Sequence, residues 1–172
     1  MKFNKRLLMA LTALVMAIMP MGAALAETSG VPGAERIYGS DVPIITPEDI
    51  QNADILTESL SRGNNPPTSN TTLPYTASSN SISSYTYTNY KFKPKSDGKI
   101  HTSFSGSATQ ATTVTLTLYD ANTGKAVVTK DNAAKSWDQW GISWYNLDTS
   151  HYYYYKISKS SGGTLSFTMK CT

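Results

Sequence analysis

Residues able to perform acid–base or nucleophilic chemistry are few in this chain. Its two histidines are His101 and His151, and its single cysteine is Cys171. No glutamate occurs between residues 71 and 172, and no Gly-x-Ser-x-Gly sequence is present. A nucleophile needs a neighbouring base to activate it, and no paired signal of this kind is found. The sequence therefore predicts a noncatalytic protein in which both histidines are exposed polar residues.

The sequence also gives little support for a metal ion or a cofactor. Residues Asp120 to Gly124, DANTG, resemble the start of a calcium loop but lack the downstream acid that would complete it. The same residues suit the turn of a β-hairpin. Zinc-ligand spacing, a phosphate loop and a dinucleotide fingerprint are absent. We expect no metal and no cofactor.

Lysines concentrate in one predicted hairpin and form a candidate basic patch: Lys91, Lys93, Lys95 and Lys99. Such a patch would attract an anionic partner, either a wall polymer or the acidic segment of the chain itself. Outward lysines also protect an edge strand from pairing with another chain, which needs no ligand. Both interpretations stay open at this point.

Aromatic residues supply the second candidate site, and the stretch SHYYYYKIS (150–158) is the densest part of it. Flat rings exposed on a sheet can stack on sugar rings, and exposed apolar clusters mark binding surfaces. Cross-strand aromatic pairs that only stabilise a sheet are the alternative. Nucleic acid is disfavoured because residues 71–172 contain no arginine. The candidate ligand-binding residues are Trp137, Tyr145, Tyr152, Tyr154 and Lys156.

Alternation along the strand sorts the four tyrosines into two faces. Ile157 is apolar, so Tyr153 and Tyr155 share its inward face, whereas Tyr152 and Tyr154 point outward with Lys156. The same argument places Cys171 inward in the final strand as a small buried hydrophobe. A single cysteine cannot form an internal disulfide, so the fold must rest on its apolar core.

A period of two continues from residue 85 to 172 and defines the domain that must position these side chains. Short alternating runs are separated by turn signals at Ser96-Asp97-Gly98, Asn122-Thr123-Gly124 and Ser161-Gly162-Gly163. Many short strands with such turns are typical of a small antiparallel β-sandwich of the jelly-roll or immunoglobulin-like kind. We predict an all-β domain over residues 85–172.

Three further segments precede this domain. Residues 1–26 have a basic start, an apolar run and a small-residue cleavage site, so we expect a signal peptide and, after its removal, no membrane span. Residues 27–63 form an acidic segment in which Thr46, Pro47 and a spaced apolar stripe predict a helix over about 47–60. Residues 64–84 are rich in Ser, Thr, Asn and Pro, which predicts a disordered linker.

The charges of the two parts are opposite. Residues 27–70 hold seven acidic and two basic residues, a balance of −5, and residues 71–172 hold ten lysines and five aspartates, a balance of +5. Opposite balances indicate either mutual contact or separate partners. We hypothesise that the acidic segment docks on the sandwich or acts as a removable pro-segment.

Residues 85–172 resemble the bacterial pre-peptidase C-terminal domain. The resemblance rests on NYKFKPKSDGKIHTSFSG, VTLTLYDANTGK and YNLDTSHYYYYKISKSSGGTLSFTM, in which Tyr90 with Phe92, the LTLYD run 116–120 and residues 153–157 match the family pattern. Thr113 and Val114 stand where many members carry an aspartate, so we expect no family metal site. The resemblance implies a noncatalytic β-sandwich of exported proteins.

These observations predict a secreted, extracellular binding module that contacts a polysaccharide or an anionic wall polymer. The alternative is an accessory or structural domain that binds a secreted protein or assists its export. An enzyme is the third hypothesis. Loss of a glycan signal on mutating the outward aromatics would favour the first, and co-purification with a secreted protein would favour the second.

Overall fold

The computed structural model describes residues 30–56, 65–160 and 162–172, without the side chains of Ala134, Trp137 and Asp138. Within these ranges lie helix α1 (Pro47–Gln51), a 3-10 turn (Gly39–Asp41) and ten strands. The fold is all-β, as predicted; residues 1–26, the predicted signal peptide, lie outside the described ranges. The strands are β1 (Gly33–Ile37), β2 (Asp54–Ile55), β3 (Ser69–Asn70), β4 (Tyr75–Ile82), β5 (Tyr85–Tyr87), β6 (Tyr90–Lys91), β7 (Ile100–Asp120), β8 (Lys125–Tyr145), β9 (Tyr153–Lys159) and β10 (Leu165–Cys171).

Two long strands, β7 and β8, connect the two layers of a sandwich. In the first layer the strand order is β1-β8-β7-β10-β4-β2, and in the second β9 pairs with β7 and β5 pairs with β9. Strand β7 meets β10 through residues 102–108 and β9 through residues 114–120. The β7–β8 register shifts between Ser107 and Thr112, where the ladder passes from one layer to the other. Positive φ angles at Gly98 (69°) and Gly124 (70°) confirm two of the predicted turns.

The core lies between the layers and is centred on Tyr155. Its ring centroid is 5.4 Å from that of Trp144 and 5.8 Å from that of Phe92. Its hydroxyl shares a 2.7 Å hydrogen bond with Thr102 Oγ1, which also accepts a 3.1 Å bond from Trp144 Nε1. Because its polar atom has a partner, this tyrosine can be fully buried. The inward position predicted for Tyr153 and Tyr155 is confirmed, since both belong to the core cluster, which does not include Tyr154.

The same alternation is confirmed in β10. Phe167, Met169 and Cys171 are buried, and Ser166, Thr168 and Lys170 are partly exposed. Burial raises the pKa of the Cys171 thiol to about 12, so the sulfur is held as a neutral thiol. Cys171 therefore serves as a packed core residue.

The acidic N-terminal segment is part of the sheet at both edges of the first layer. Strand β1 pairs antiparallel with β8, and β2 pairs parallel with β4. Between them, residues 38–53 cross the outer face of this layer, and we call them the strap. Gln139 Nε2 donates to the Pro43 carbonyl at 2.7 Å, and Lys170 Nζ donates to the Ile44 carbonyl at 3.1 Å and to Asp49 Oδ2 at 2.8 Å. The segment is thus docked on the sandwich.

The helix predicted over 47–60 is wrong in length. Its start is confirmed, because Thr46 and Asp49 form a capping box and Pro47 occupies the first turn. The helix ends at Gln51, however, and Asp54–Ile55 form β2 instead. Pairing with β4 gives these residues backbone partners, which helical spacing alone could not foresee. Leu56, a member of the predicted apolar stripe, is buried. Residues 57–60 lie outside the described ranges.

The disordered linker predicted over 64–84 is contradicted by β3 and β4. Strand β4 pairs with β10 on one side and with β2 on the other. Its side chains Ala77 and Ile82 are buried, and so is the polar Ser79. The prediction from composition was wrong because small polar residues can occupy an interior strand. The neighbouring strands supply the apolar surface, and the ladder of hydrogen bonds satisfies the backbone N–H and C=O groups.

Among the described residues, no helix has the length and apolar character needed to cross a membrane.

Candidate functional site

Outward tyrosines of three neighbouring strands form a continuous cluster on the second layer. Tyr154 of β9 stacks on Tyr119 of β7, with centroids 5.3 Å apart and ring planes 10° apart. Tyr87 of β5 meets Tyr154 edge-on at 5.8 Å, and Tyr85 meets Tyr87 edge-on at 5.8 Å. Stacked and edge-to-face pairs at these distances are the favoured aromatic geometries. The cluster exists because the strand register places Tyr119 directly opposite Tyr154.

Lysine ammonium groups lie over Tyr85 of this cluster and over Tyr152, the next outward residue of the tyrosine run. Lys156 Nζ is 4.3 Å from the centroid of Tyr85. Lys93 Nζ and Lys91 Nζ are 5.1 Å and 5.8 Å from the centroid of Tyr152. These contacts are cation–π interactions, which hold flexible lysines against the sheet. We call the combined surface the tyrosine–lysine face; its members are Tyr85, Tyr87, Tyr119, Tyr152, Tyr154, Lys91, Lys93 and Lys156.

The predicted role of Tyr154 as a free outward ring is wrong. Its side chain points away from the core, as the alternation along β9 requires. It is nevertheless only 4% exposed, because Tyr119 and Tyr87 cover it. Burial raises the pKa of Tyr154 to about 12 and that of Tyr87 above its ordinary value. Tyr154 is therefore the centre of the cluster, and its half-buried neighbours present the accessible rings.

Sequence reasoning missed three members of the face: Tyr85, Tyr87 and Tyr119. The signal was present, because all three occupy outward positions of strands next to β9. Their pairing with Tyr154 and Lys156 depends on strand order and register, which a single sequence does not display. Tyr152, Tyr154, Lys156, Lys91 and Lys93 were predicted, and the fold brings them together.

Other predicted site residues lie elsewhere. Tyr145 belongs to the first layer, where it pairs with Gly33 of β1. Its ring lies so close to Gly33 that a Cβ on that residue would stand 2.5 Å from it. Lys95 and Lys99 flank the Gly98 turn, where Lys95 N donates to the Lys99 carbonyl at 3.0 Å. The side chain of Trp137 lies outside the described part. The predicted patch is thus divided into the Lys91–Lys93 pair on the face and the Lys95–Lys99 pair at the turn.

His151 lies between two carboxylates at the Tyr152 end of the face. Its Nδ1 is 2.8 Å from Asp120 Oδ2, and its Nε2 is 3.6 Å from Asp148 Oδ2. The hydrogen bond to Asp120 raises the pKa of His151. Burial alone would raise the pKa of Asp120, but its hydrogen bonds from His151 and from two backbone N–H groups lower it. A ring nitrogen engaged with a carboxylate in this way holds the turn and is not free to act as a general base.

The Asp120 carboxylate is used by the hairpin turn. Its Oδ1 accepts hydrogen bonds from Asn122 N at 2.8 Å and Thr123 N at 3.2 Å. Asn122 Oδ1 in turn accepts from Tyr152 N at 3.1 Å. This geometry fits the turn interpretation of residues 120–124, and no group of three or more His, Cys, Asp or Glu residues in the described ranges could hold a metal ion.

A cavity of about 580 Å³ lies between the strap and the first layer. Its lining includes Val42, Ile44, Lys95, His101 and Lys170. Burial and the nearby Lys95 ammonium lower the pKa of His101, whose Nδ1 is buried without a hydrogen-bond partner. His101 is thus a half-buried residue under the strap, and the predicted exposed position is wrong because the strap covers it.

Comparison with family models, curated proteins and solved structures finds no match for this chain. The site is therefore interpreted from its own geometry.

Proposed function

We propose that this protein is a secreted, noncatalytic β-sandwich module that binds carbohydrate or a cell-wall polymer through the tyrosine–lysine face. The observation that carries the proposal is the stack of Tyr119 on Tyr154, extended edge-on by Tyr87 and Tyr85 across three strands. A cluster of this size on an outward sheet face exceeds what isolated cross-strand pairs provide. The predicted export of the protein and the resemblance of residues 85–172 to the pre-peptidase C-terminal domain are in keeping with this role.

The shape of the face suits an extended polymer. From Tyr152 to Lys156 the strand rises by roughly 13 Å, at about 3.3 Å per residue. Half-buried rings along this length offer apolar surface to the C–H groups of sugar rings, while tyrosine hydroxyls at their edges can donate and accept hydrogen bonds. Lysines at both ends add donors for hydroxyl or acidic groups.

A polysaccharide array and pull-down on insoluble wall material test this proposal. Tyr85→Ala and Tyr152→Ala remove half-buried rings at opposite ends of the face, and each is expected to weaken retention several-fold. Val31→Ala is the control, because this side chain is 86% exposed and lies outside both the face and the strap. Thermal melts of all three variants verify that folding is retained.

If the wild-type protein binds none of the polymers, or if Val31→Ala weakens retention as much as the face variants, the proposal fails. Specific recovery of one secreted protein, unchanged in the face variants, would favour the accessory role instead. That alternative draws on the exposed apolar side chains of the N-terminal segment.

A further inference from the structure

Exposed apolar side chains are concentrated in the N-terminal segment. Six large hydrophobic residues of the described ranges are exposed, and five of them lie between residues 31 and 55. Three belong to the strap: Tyr38 is 76% exposed, Ile44 is 72% exposed and Ile50 is 53% exposed. Because the strap crosses the outer face of the first layer, these side chains form the outermost surface there. Exposed apolar groups gathered on one side of a molecule indicate an interaction surface.

The N-terminal segment and the tyrosine–lysine face carry opposite charges. Residues 30–56 contain five acidic residues and Arg36, a balance of −4. Asp41 and Glu48 of the strap are exposed, whereas Asp49 is paired with Lys170. On the second layer, the tyrosine–lysine face carries Lys91, Lys93 and Lys156 among its rings. Each surface therefore combines apolar groups with charges that complement those of the other surface.

We propose that the strap of one molecule docks on the tyrosine–lysine face of a second copy. The occupant is assigned by this complementarity: Ile44 and Tyr38 supply apolar contacts for the half-buried rings, and Asp41 and Glu48 meet the lysines. The two surfaces lie on opposite layers, so the contact is head-to-tail and repeats from copy to copy. A heterologous contact that does not close builds an open chain rather than a symmetric dimer.

Light scattering during size-exclusion chromatography tests the assembly on the protein alone, without any polymer. The mass is expected to rise with protein concentration at low salt and to fall towards the monomer at about 1 M salt, where charges are screened beyond about 3 Å. A monomer at every concentration, or a mass that stops at the dimer, overturns the proposal. Because no polysaccharide is present, either result leaves the proposed polymer binding untouched.

Two variants separate the surfaces. A strap variant, Asp41→Asn with Ile44→Ser and Glu48→Gln, and a face variant, Lys93→Glu with Lys156→Glu, should each be monomeric alone. Mixed together they should form a 1:1 dimer and nothing larger, since one intact strap meets one intact face. Lys125→Glu with Lys135→Glu repeats the charge change of the face variant at exposed positions of β8 and should assemble like the wild type.

Two outcomes of this mixing experiment overturn the head-to-tail contact. One is assembly by either variant alone, which would mean that identical surfaces meet. The other is a mixture that stays monomeric although both variants melt cooperatively. Loss of assembly in the Lys125→Glu, Lys135→Glu control would attribute the effect to net charge, and would also overturn it.

Discussion

At the scale of residues, the four consecutive tyrosines have three different environments. Tyr153 and Tyr155 belong to the core, Tyr154 is enclosed by other tyrosines on the outer face, and Tyr152 is half-buried beneath two lysines. The alternation of side chains along a strand separates inward from outward positions. Exposure of an outward residue depends on what the neighbouring strands place beside it.

Alanine substitutions in this run should reproduce the three environments. Tyr153→Ala and Tyr155→Ala are expected to lower the free energy of unfolding by about 3–5 kcal/mol, because each removes a large buried ring. Tyr154→Ala should cost about 2 kcal/mol through loss of its aromatic contacts, and Tyr152→Ala about 0.5 kcal/mol. Urea unfolding measures these differences. A Tyr154→Ala variant as stable as Tyr152→Ala would contradict the enclosed position of Tyr154.

The two histidines should titrate on opposite sides of their ordinary pKa of about 6.5. The pKa of His151 is raised by its bond to Asp120, and the pKa of His101 is lowered by burial and by Lys95. Proton NMR of the imidazole signals measures both values in one sample, and His151→Gln assigns them. The reverse order would contradict the described surroundings of both rings.

The raised pKa of His151 also defines a pH window for stability. The interaction of His151 with Asp120 contributes fully below the pKa of the unfolded histidine, and it is lost as the pH rises through the higher folded value. His101 acts in the opposite sense, since its folded pKa is depressed and its protonation at low pH opposes folding.

At the scale of elements, the strap is held by a charge contact across the two oppositely charged parts of the chain. Hydrogen bonds from Lys170 and from the Thr46 backbone lower the pKa of Asp49 to about 2. The same carboxylate completes the cap of α1, so one residue both starts the helix and anchors it to β10. This contact joins residues 27–70, whose charge balance is −5, to residues 71–172, whose charge balance is +5.

Adjacent substitutions in β2 and directly after it test whether this part of the chain is docked on the sheet. Leu56 is 2% exposed and Ile55 is 58% exposed. Leu56→Ala should therefore cost about 2–5 kcal/mol of unfolding free energy, and Ile55→Ala should stay within about 0.5 kcal/mol. Urea unfolding of both variants provides the comparison. Equal effects would mean that β2 is not docked as described.

At the scale of the whole molecule, the fold depends on packing between the layers, with no disulfide available to support it. The one cysteine is fully buried between them, and its thiol pKa is raised to about 12. The long-range strand pairs join residues as distant as Asp54 and Ala77, or Gly33 and Tyr145. The N-terminal segment is consequently part of the folding unit.

Cys171 reports on global unfolding. Reaction with an aromatic disulfide reagent should be slow in the native protein and should follow unfolding as urea is added, because the thiolate is both buried and rare. The thermal midpoint should be the same with and without a reductant. Rapid labelling of the native protein would show that β10 opens locally, contrary to the described packing.

The sequence by itself determined the alternation in parts of β7, in the end of β8 and in β9 and β10. It also determined the inward positions of Tyr153, Tyr155 and Cys171, the start of α1 and the glycine turns. These features depend on neighbours within a few residues, through pleat, caps and backbone dihedral angles. The basic and aromatic composition of the candidate face was predicted for the same reason, but only as residue types on one side of a strand.

Tertiary structure decided what lies next to what. Strand register made a cluster from Tyr85, Tyr87, Tyr119 and Tyr154, and pairing with β4 converted the predicted helix end into a strand. The serine-rich run 75–82 became an interior strand because β10 and β2 satisfy its backbone. Such pairings join residues far apart in the chain, and their free energy depends on the surfaces that meet, which no local pattern records.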